Sequence, residues 1–297
     1  MSDREALYAA ILAHPDDDTP RLVFADWLQE HGNERYATFI RKQIELARVP
    51  EWDPLWLRAW RDDRGTINGY EYDDFRPALG VGLAWEWFRR GFGWRVKSES
   101  AGPFLERAER LFAQAPVGAV TFNNLMESTT GPLPISAIGA SPWLARLSQI
   151  TFDWVRFVSS TARAFAASPH LGRLKRLTFS SGALESGALA ALLVPALLNR
   201  LDALELLGAT ADWSELVRLA DYTGSGRLRR FVASSPYAPS AAPARLFAAP
   251  VLSELCELRV HSTGINSAHV RAICEAPFAP RLESLTLAGT SAGLPGV

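Results

Sequence analysis

The feature that most constrains this chain is a spacing. The pattern L-x-x-Φ-x-Φ, with Φ apolar or small, begins at Leu147, Leu174, Leu201, Leu228, Leu255 and Leu282, and each leucine follows the last by 27 residues. The Φ positions keep the same register: Ile150 and Phe152, Leu177 and Phe179, Leu204 and Leu206, Phe231 and Ala233, Leu258 and Val260, Leu285 and Leu287. Upstream, Val117, Val120 and Phe122 fit at a spacing of 30, and Trp94 with Val96 forms a weaker copy. A fixed period of this length signals a repeat architecture. Each copy starts with the alternation of a strand buried on one face. It then changes to helical spacing, as in Ala188, Leu189, Leu192 and Leu193, or Val270, Ile273 and Cys274. One strand–helix unit cannot bury its own apolar face, so neighbouring copies supply the core, and Leu201 and Leu255 are expected to be fully buried.

Pattern and length resemble leucine-rich repeats, particularly the longer kind. That resemblance implies an α/β solenoid over residues 88–297, with a parallel sheet on the concave face, helices on the convex face and about eight copies. One departure stands out. The position that family fills with asparagine or cysteine is here Val155, Gly182, Ala209, Pro236, Thr263 and Thr290. Pro236 and Pro239, with Ser234, Ser235 and Ser240, predict an irregular loop in the fourth aligned repeat.

The first 48 residues read as a three-helix module. Residues 3–14 carry Ala6, Leu7, Ala10 and Ile11 on one face; Thr19 is the expected cap of a second helix with Pro20 at its start and Gly32 at its end; Asn33 caps a third. The run Pro15-Asp16-Asp17-Asp18-Thr19-Pro20-Arg21-Leu22-Val23-Phe24-Ala25-Asp26-Trp27-Leu28-Gln29-Glu30-His31-Gly32 resembles the bacterial repeat-companion domain. So does Ala37-Thr38-Phe39-Ile40-Arg41-Lys42-Gln43-Ile44, and Arg89-Arg90-Gly91-Phe92 resembles the segment introducing the repeats in such proteins. The resemblance implies an architecture rather than an activity. Residues 49–87 read as a connector that caps the array, with Trp52, Trp56 and Trp60 at helical spacing and a turn-rich stretch around Gly65, Asn68 and Gly69. A tryptophan stripe there suits a solenoid cap better than a ligand platform.

Composition narrows the function classes. A net charge of -1, from 31 basic and 32 acidic residues, argues against the electropositive stripe that nucleic acid requires. Cys256 and Cys274 are too few for a disulfide framework, which points to reduced thiols in a cytoplasmic protein. No segment approaches the roughly 20 apolar residues of a membrane span, and Met1 to Ala13 lacks the apolar core of a signal peptide.

Candidate chemistry is sparse. His14-Pro15-Asp16-Asp17-Asp18 offers three carboxylates beside a histidine, yet consecutive acids diverge and Asp18 and Thr19 stand where a helix wants caps, so the structural reading is preferred over a metal. Cys256, His261, His269 and Cys274 are zinc-type residues at spacings that form no familiar ligand pair. Gly224-Ser225-Gly226 reads as a turn. Arg21 and Asp26 are expected to orient the helices of the module through buried polar bonds. No catalytic residue, cofactor or metal is expected.

The expected functional surface comes from strand geometry, because residues between the buried positions point to the other face of the sheet. These are Gln149, Thr151 and Asp153; Arg176, Thr178 and Ser180; Glu205; Arg230 and Ser234; and Glu257, Arg259 and His261. Both charge signs mixed with small polar groups suit a protein partner. The expectation is a non-catalytic protein–protein interaction scaffold, the alternative a regulatory or substrate-recruiting subunit of a bacterial enzyme or signalling system. The last strand signal, at Leu282, Leu285 and Leu287, has no closing helix in Gly289 to Val297, which predicts either a tucked tail or self-association through that edge.

Overall fold

The computed structural model describes residues 2–62, 76–124, 134–208, 213–222, 224, 227–234, 243–262 and 265–289. The chain divides into two compact units, Met1–Thr121 and Phe122–Val297. No helix among the described residues is long and apolar enough to cross a membrane.

In the first unit, α1 (Asp3–Ala13) opens on a capping box between Ser2 and Glu5. Thr19 is the first residue of α2 (Thr19–Glu30) rather than its cap, and Asp17 Oδ1 accepts its N–H at 2.9 Å. That bond holds the Asp17 carboxyl below its ordinary range. α3 (Glu34–Ala47) is capped by Asn33, whose side chain accepts from Tyr36 N. The three helices do not close their own core: Ile11, Phe24, Leu28, Tyr36 and Ile40 pack with Phe88 and Phe92. Those phenylalanines come from β1 (Leu83–Arg89) and β2 (Phe92–Ser98), an antiparallel pair joined through Arg90 and Gly91, both with positive φ as a two-residue hairpin turn requires. A Cβ on Gly91 would lie 2.9 Å from Ile40 Cα, so only glycine lets the turn sit on α3. Tyr36 Oη donates to the Gly91 carbonyl at 2.7 Å.

Residues 83–87, assigned from sequence to a connector, and residues 88–98, assigned to the array, together form this hairpin, whose Phe88 and Phe92 pack on the helical module. α4 (Pro54–Asp62) carries Trp56, which stacks on Trp87 with centroids 6.4 Å apart. The Trp60 side chain and Gly65, Asn68 and Gly69 lie outside the described residues.

α5 (Ala101–Gln114) is tied to α1 by Tyr8 Oη, which donates to the Gln114 carbonyl at 2.7 Å. Burial pushes the Tyr8 hydroxyl up to about 12. A raised folded pKa gives stability that is complete below the unfolded value of about 10 and is lost as pH rises through the folded value. Urea midpoints between pH 9 and 12 should therefore fall more steeply for wild type than for Tyr8→Phe, the difference reaching on the order of 2 kcal/mol. Parallel slopes would contradict the burial of this hydroxyl.

The second unit is α/β, with a large parallel sheet. β3 (Ala119–Asn123) crosses the border between units. Then come β4 (Gln149–Asp153), the short β5 (Arg156–Phe157), β6 (Arg176–Ser180), the short β7 (Ala183–Leu184), β8 (Ala203–Leu207), β9 (Arg230–Ser234), β10 (Glu257–His261) and β11 (Ser284–Ala288). β4, β6, β8, β9, β10 and β11 pair in that order, all parallel, and every residue faces the one 27 positions further on, as in Ile150, Leu177, Leu204, Phe231, Leu258 and Leu285. A second ladder precedes the strands: Ser148 O accepts from Lys175 N and Arg176 N, Lys175 O from Asp202 N and Ala203 N, and Asp202, Arg229 and Cys256 repeat the arrangement. Helices α6 (Pro134–Ala140), α7 (Ser159–Ala166) and α8 (Ala188–Leu192) follow β3, β4 and β6, helices of only four and five residues follow β8 and β9, and the eight-residue α9 (Ser267–Cys274) follows β10.

Burial follows the period. Leu147, Leu174, Leu201, Leu228 and Leu255 are all buried, as are Ile150, Leu177, Leu204, Phe231 and Leu258. Phe152 sits at the centre of an aromatic cluster, 5.8 Å from Phe122, 5.7 Å from Phe179, 4.8 Å from Phe157 and 5.2 Å from Phe165 between ring centroids. The fourth aligned repeat is a regular strand from Arg230 to Ser234, contrary to the irregularity expected of it; Ser235, Pro236, Pro239 and Ser240 lie outside the described residues.

The ends of β3, β4, β6, β8 and β11 turn through a left-handed residue. Asn124, Trp154, Ser181, Gly208 and Gly289 all have positive φ, and the N–H groups of Asn124, Trp154 and Ser181 donate to Asp153, Ser180 and Leu207 carbonyls at 2.8–2.9 Å. Main chain also serves where a side-chain ladder was looked for: Ala183 N donates to Val155 O, and a Cβ on Gly182 would lie 2.3 Å from that oxygen. Ala209, Pro236, Thr263 and Thr290 lie outside the described residues. Ser181→Gly should relieve a left-handed φ of 52 and stabilise the unit by about 0.5–1 kcal/mol after the glycine entropy cost. A lower urea midpoint for that variant would mean the turn is not under strain.

Candidate functional site

On the sheet face opposite the apolar core, side chains from successive strands fall into rows. The first row runs Gln149, Arg176, Ala203, Arg230, Glu257, Ser284; the second Thr151, Thr178, Glu205, Val232, Arg259, Thr286. Alternating signs meet across them. Glu205 Oε1 lies 2.6 Å from Arg230 Nε and 3.8 Å from Arg176 Nε, and its Oε2 accepts from Thr178 Oγ1 at 2.9 Å. Glu257 joins Arg230 Nη1 and Arg259 Nε, each at 2.6 Å. Ala203, small and between Arg176 and Arg230 in the first row, leaves both guanidiniums room to converge on Glu205.

These residues share a face, as the strand period requires, but not all are open to a partner. Glu257 is 0% exposed, Glu205 and Thr178 are buried, and the Arg230 side chain is 11% exposed. The expectation that the whole set forms an accessible binding surface is corrected for these four. Glu205 is held between Arg176 and Arg230 of the two flanking strands, and Glu257 between Arg230 of the next strand and Arg259 of its own, so each buried charge has ionic partners in place of water. Arg176 and Arg259 flank the network with partial exposure.

The accessible part of the face lies at its edges. Gln149 and Thr151 are half-buried on β4, and the strand-end row holds Asp153, Ser180, Leu207, Ser234 and His261, none of them buried. Leu207 is 39% exposed, and Trp154, next after Asp153, is 63% exposed. Neither was singled out from sequence. Leu207 could have been, since it stands 27 residues after Ser180; Trp154 could not, because its exposure follows from the left-handed turn.

Other motifs are occupied structurally. In the first unit, Arg21 is 1% exposed and donates to the carbonyls of Asp17 at 2.7 Å and Pro15 at 2.9 Å, while burial lowers its pKa to about 10. Arg90 pairs with Asp18 at 3.0 Å and donates to the Asp16 carbonyl. The acidic run is thus clamped by arginines. Asp26 differs from expectation: it is a surface residue paired with Arg41 of α3, not a buried partner of Arg21. In the second unit, His269 Nδ1 lies 2.8 Å from Asn266 Oδ1 at the cap of α9 (Ser267–Cys274). Cys256 Sγ lies 3.7 Å from Arg229 Nη2, a contact that raises the Arg229 pKa. Ser225, Gly226 and the segment after Gly289 lie outside the described residues, while Leu285 on β11 is 48% exposed.

No family model, curated protein or solved structure matches this chain.

Proposed function

We propose that the second unit is a leucine-rich-repeat solenoid, preceded by a module of the repeat-companion kind, and that the protein is a non-catalytic cytoplasmic scaffold holding a protein partner on its concave face. The observation that carries this reading is the strand-end row. There a large aromatic and an aliphatic side chain, Trp154 and Leu207, stand exposed beside Asp153, Ser180, Ser234 and His261. Apolar anchors, tryptophan above all, ringed by small polar groups are the composition of binding hot spots. The buried ion network behind them acts as a rigid floor, so little ordering entropy is lost on docking.

The test is a pair of substitutions at exposed positions. Trp154→Ala with Leu207→Asp should weaken the affinity for a partner captured by the wild-type chain by at least about 30-fold, with the circular dichroism spectrum unchanged. Retention of that partner at wild-type affinity would place the binding face elsewhere.

A further inference from the structure

The strand-end row changes character along its length. On β4 it begins with the Asp153 carboxylate, followed by the exposed Trp154. β6 and β9 contribute the hydroxyls of Ser180 and Ser234, and between them β8 contributes the exposed Leu207. On β10 the row reaches His261, which is exposed, and Arg259, two residues earlier on the same face, keeps 33% of its side chain exposed. No ion pair or side-chain hydrogen bond among the described residues engages Asp153 or His261. The ion network behind the row sets three guanidiniums, of Arg176, Arg230 and Arg259, against two carboxylates, so it carries surplus positive charge, and Arg259 brings its cationic margin to the β10 end. One end of the row is therefore anionic and the other cationic, with apolar and small side chains between.

We infer that this row seats an amphipathic α-helix of the partner protein, laid across the strands with its N-terminus over β4 and its C-terminus over β10. The inference rests on the binding face proposed above and adds what occupies it and in which direction. Trp154 and Leu207 stand two strand spacings apart, about 10 Å. Apolar side chains seven residues apart on one face of a helix are separated by about 10.5 Å, whereas same-face residues of an extended chain fall about 6.7 or about 13 Å apart. Ser180 and Ser234 are small enough to let a helix approach beside both anchors. Direction follows from charge: a helix N-terminus is partially positive and its C-terminus partially negative, so Asp153 favours the first and Arg259 with His261 the second. The Trp154 indole next to the Asp153 carboxylate also suits a lysine or arginine in the first turn of the helix. From β4 to β10 the row spans about 19 Å, the length of roughly 13 helical residues.

Fluorescence anisotropy with the full chain and three labelled synthetic peptides tests this. The first peptide is held helical by a crosslink on its outer face and carries leucines at i, i+3 and i+7, lysines in its first turn and glutamates in its last. The second exchanges the lysines and glutamates, and the third spaces the residues of the first with prolines that keep it extended. The second is intrinsically the better helix, because its charges complement its own dipole, so a preference for the first must come from the protein. The first should bind at least about tenfold tighter than either of the others. Asp153→Lys/His261→Glu should reverse the preference between the two helices, and Trp154→Ala should weaken the first at least about tenfold, with circular dichroism spectra unchanged. Equal affinities, a preference that survives the charge exchange, tighter binding of the extended peptide, or no binding of the first peptide would each overturn the inference. The binding face is tested apart from the peptides: loss of the captured partner in Trp154→Ala with Leu207→Asp, without any preference among the peptides, would keep the face and remove only its helical occupant.

Discussion

Glu257→Ala is expected to lower the stability of the second unit by about 3–5 kcal/mol, read as a fall in urea midpoint with the m-value unchanged. The carboxylate is fully buried and bridges Arg230 and Arg259, so its removal leaves two guanidiniums facing each other with their shared counter-charge gone. Arg230 retains Glu205, which limits the loss to one link of the network. Replacing Glu205, Arg230 and Glu257 together by leucine or methionine should cost far less than the single truncation, because an ion network exchanged for packed apolar groups is often close to neutral. A change below about 1 kcal/mol in Glu257→Ala would mean that the network is solvated.

The second large effect lies in the core. Phe152→Ala should cost about 3–5 kcal/mol, since the ring is 1% exposed and touches four other phenylalanine rings, leaving a cavity that the neighbouring strands cannot collapse into. Leu285→Ala supplies the contrast. It occupies the fourth position of the same repeat motif, where Ile150 and Leu258 are fully buried, but on β11 it is 48% exposed, so its truncation should cost less than about 1 kcal/mol. Similar costs at the two positions would contradict the difference in burial between the middle and the end of the sheet.

Much of the second unit was legible because one register governs it. The leucine spacing predicted which side chains are buried, and the observed pairing of residues 27 apart follows from it. What escaped was chemistry between repeats. Alternation places Arg176, Glu205, Arg230 and Glu257 on one face, but the burial of the last three depends on which charges neighbour which across strands about 4.8 Å apart, so reading strands singly treated them as solvent-facing. The hairpin of the first unit was missed for a local reason. Register shifts between Trp85 and Phe88 break the two-residue alternation, and the strand reads as an aromatic-rich connector. Arg21 was rightly read as buried and structural, while Asp26, on the same helix, pairs with Arg41 on the surface of α3 instead. The exposed Trp154 owes its position to backbone conformation that no pattern of apolar residues encodes.

In the proposed scaffold, a protein partner sits on the strand-end row. The most direct measurement is site-specific photo-crosslinking in native lysate, with a photoreactive amino acid replacing Leu207 in one protein and Arg163, exposed on α7, in another. One discrete adduct is expected from position 207, absent from position 163 and competed by unmodified wild-type chain. An adduct pattern shared by both positions, or one formed from 163 alone, would contradict it.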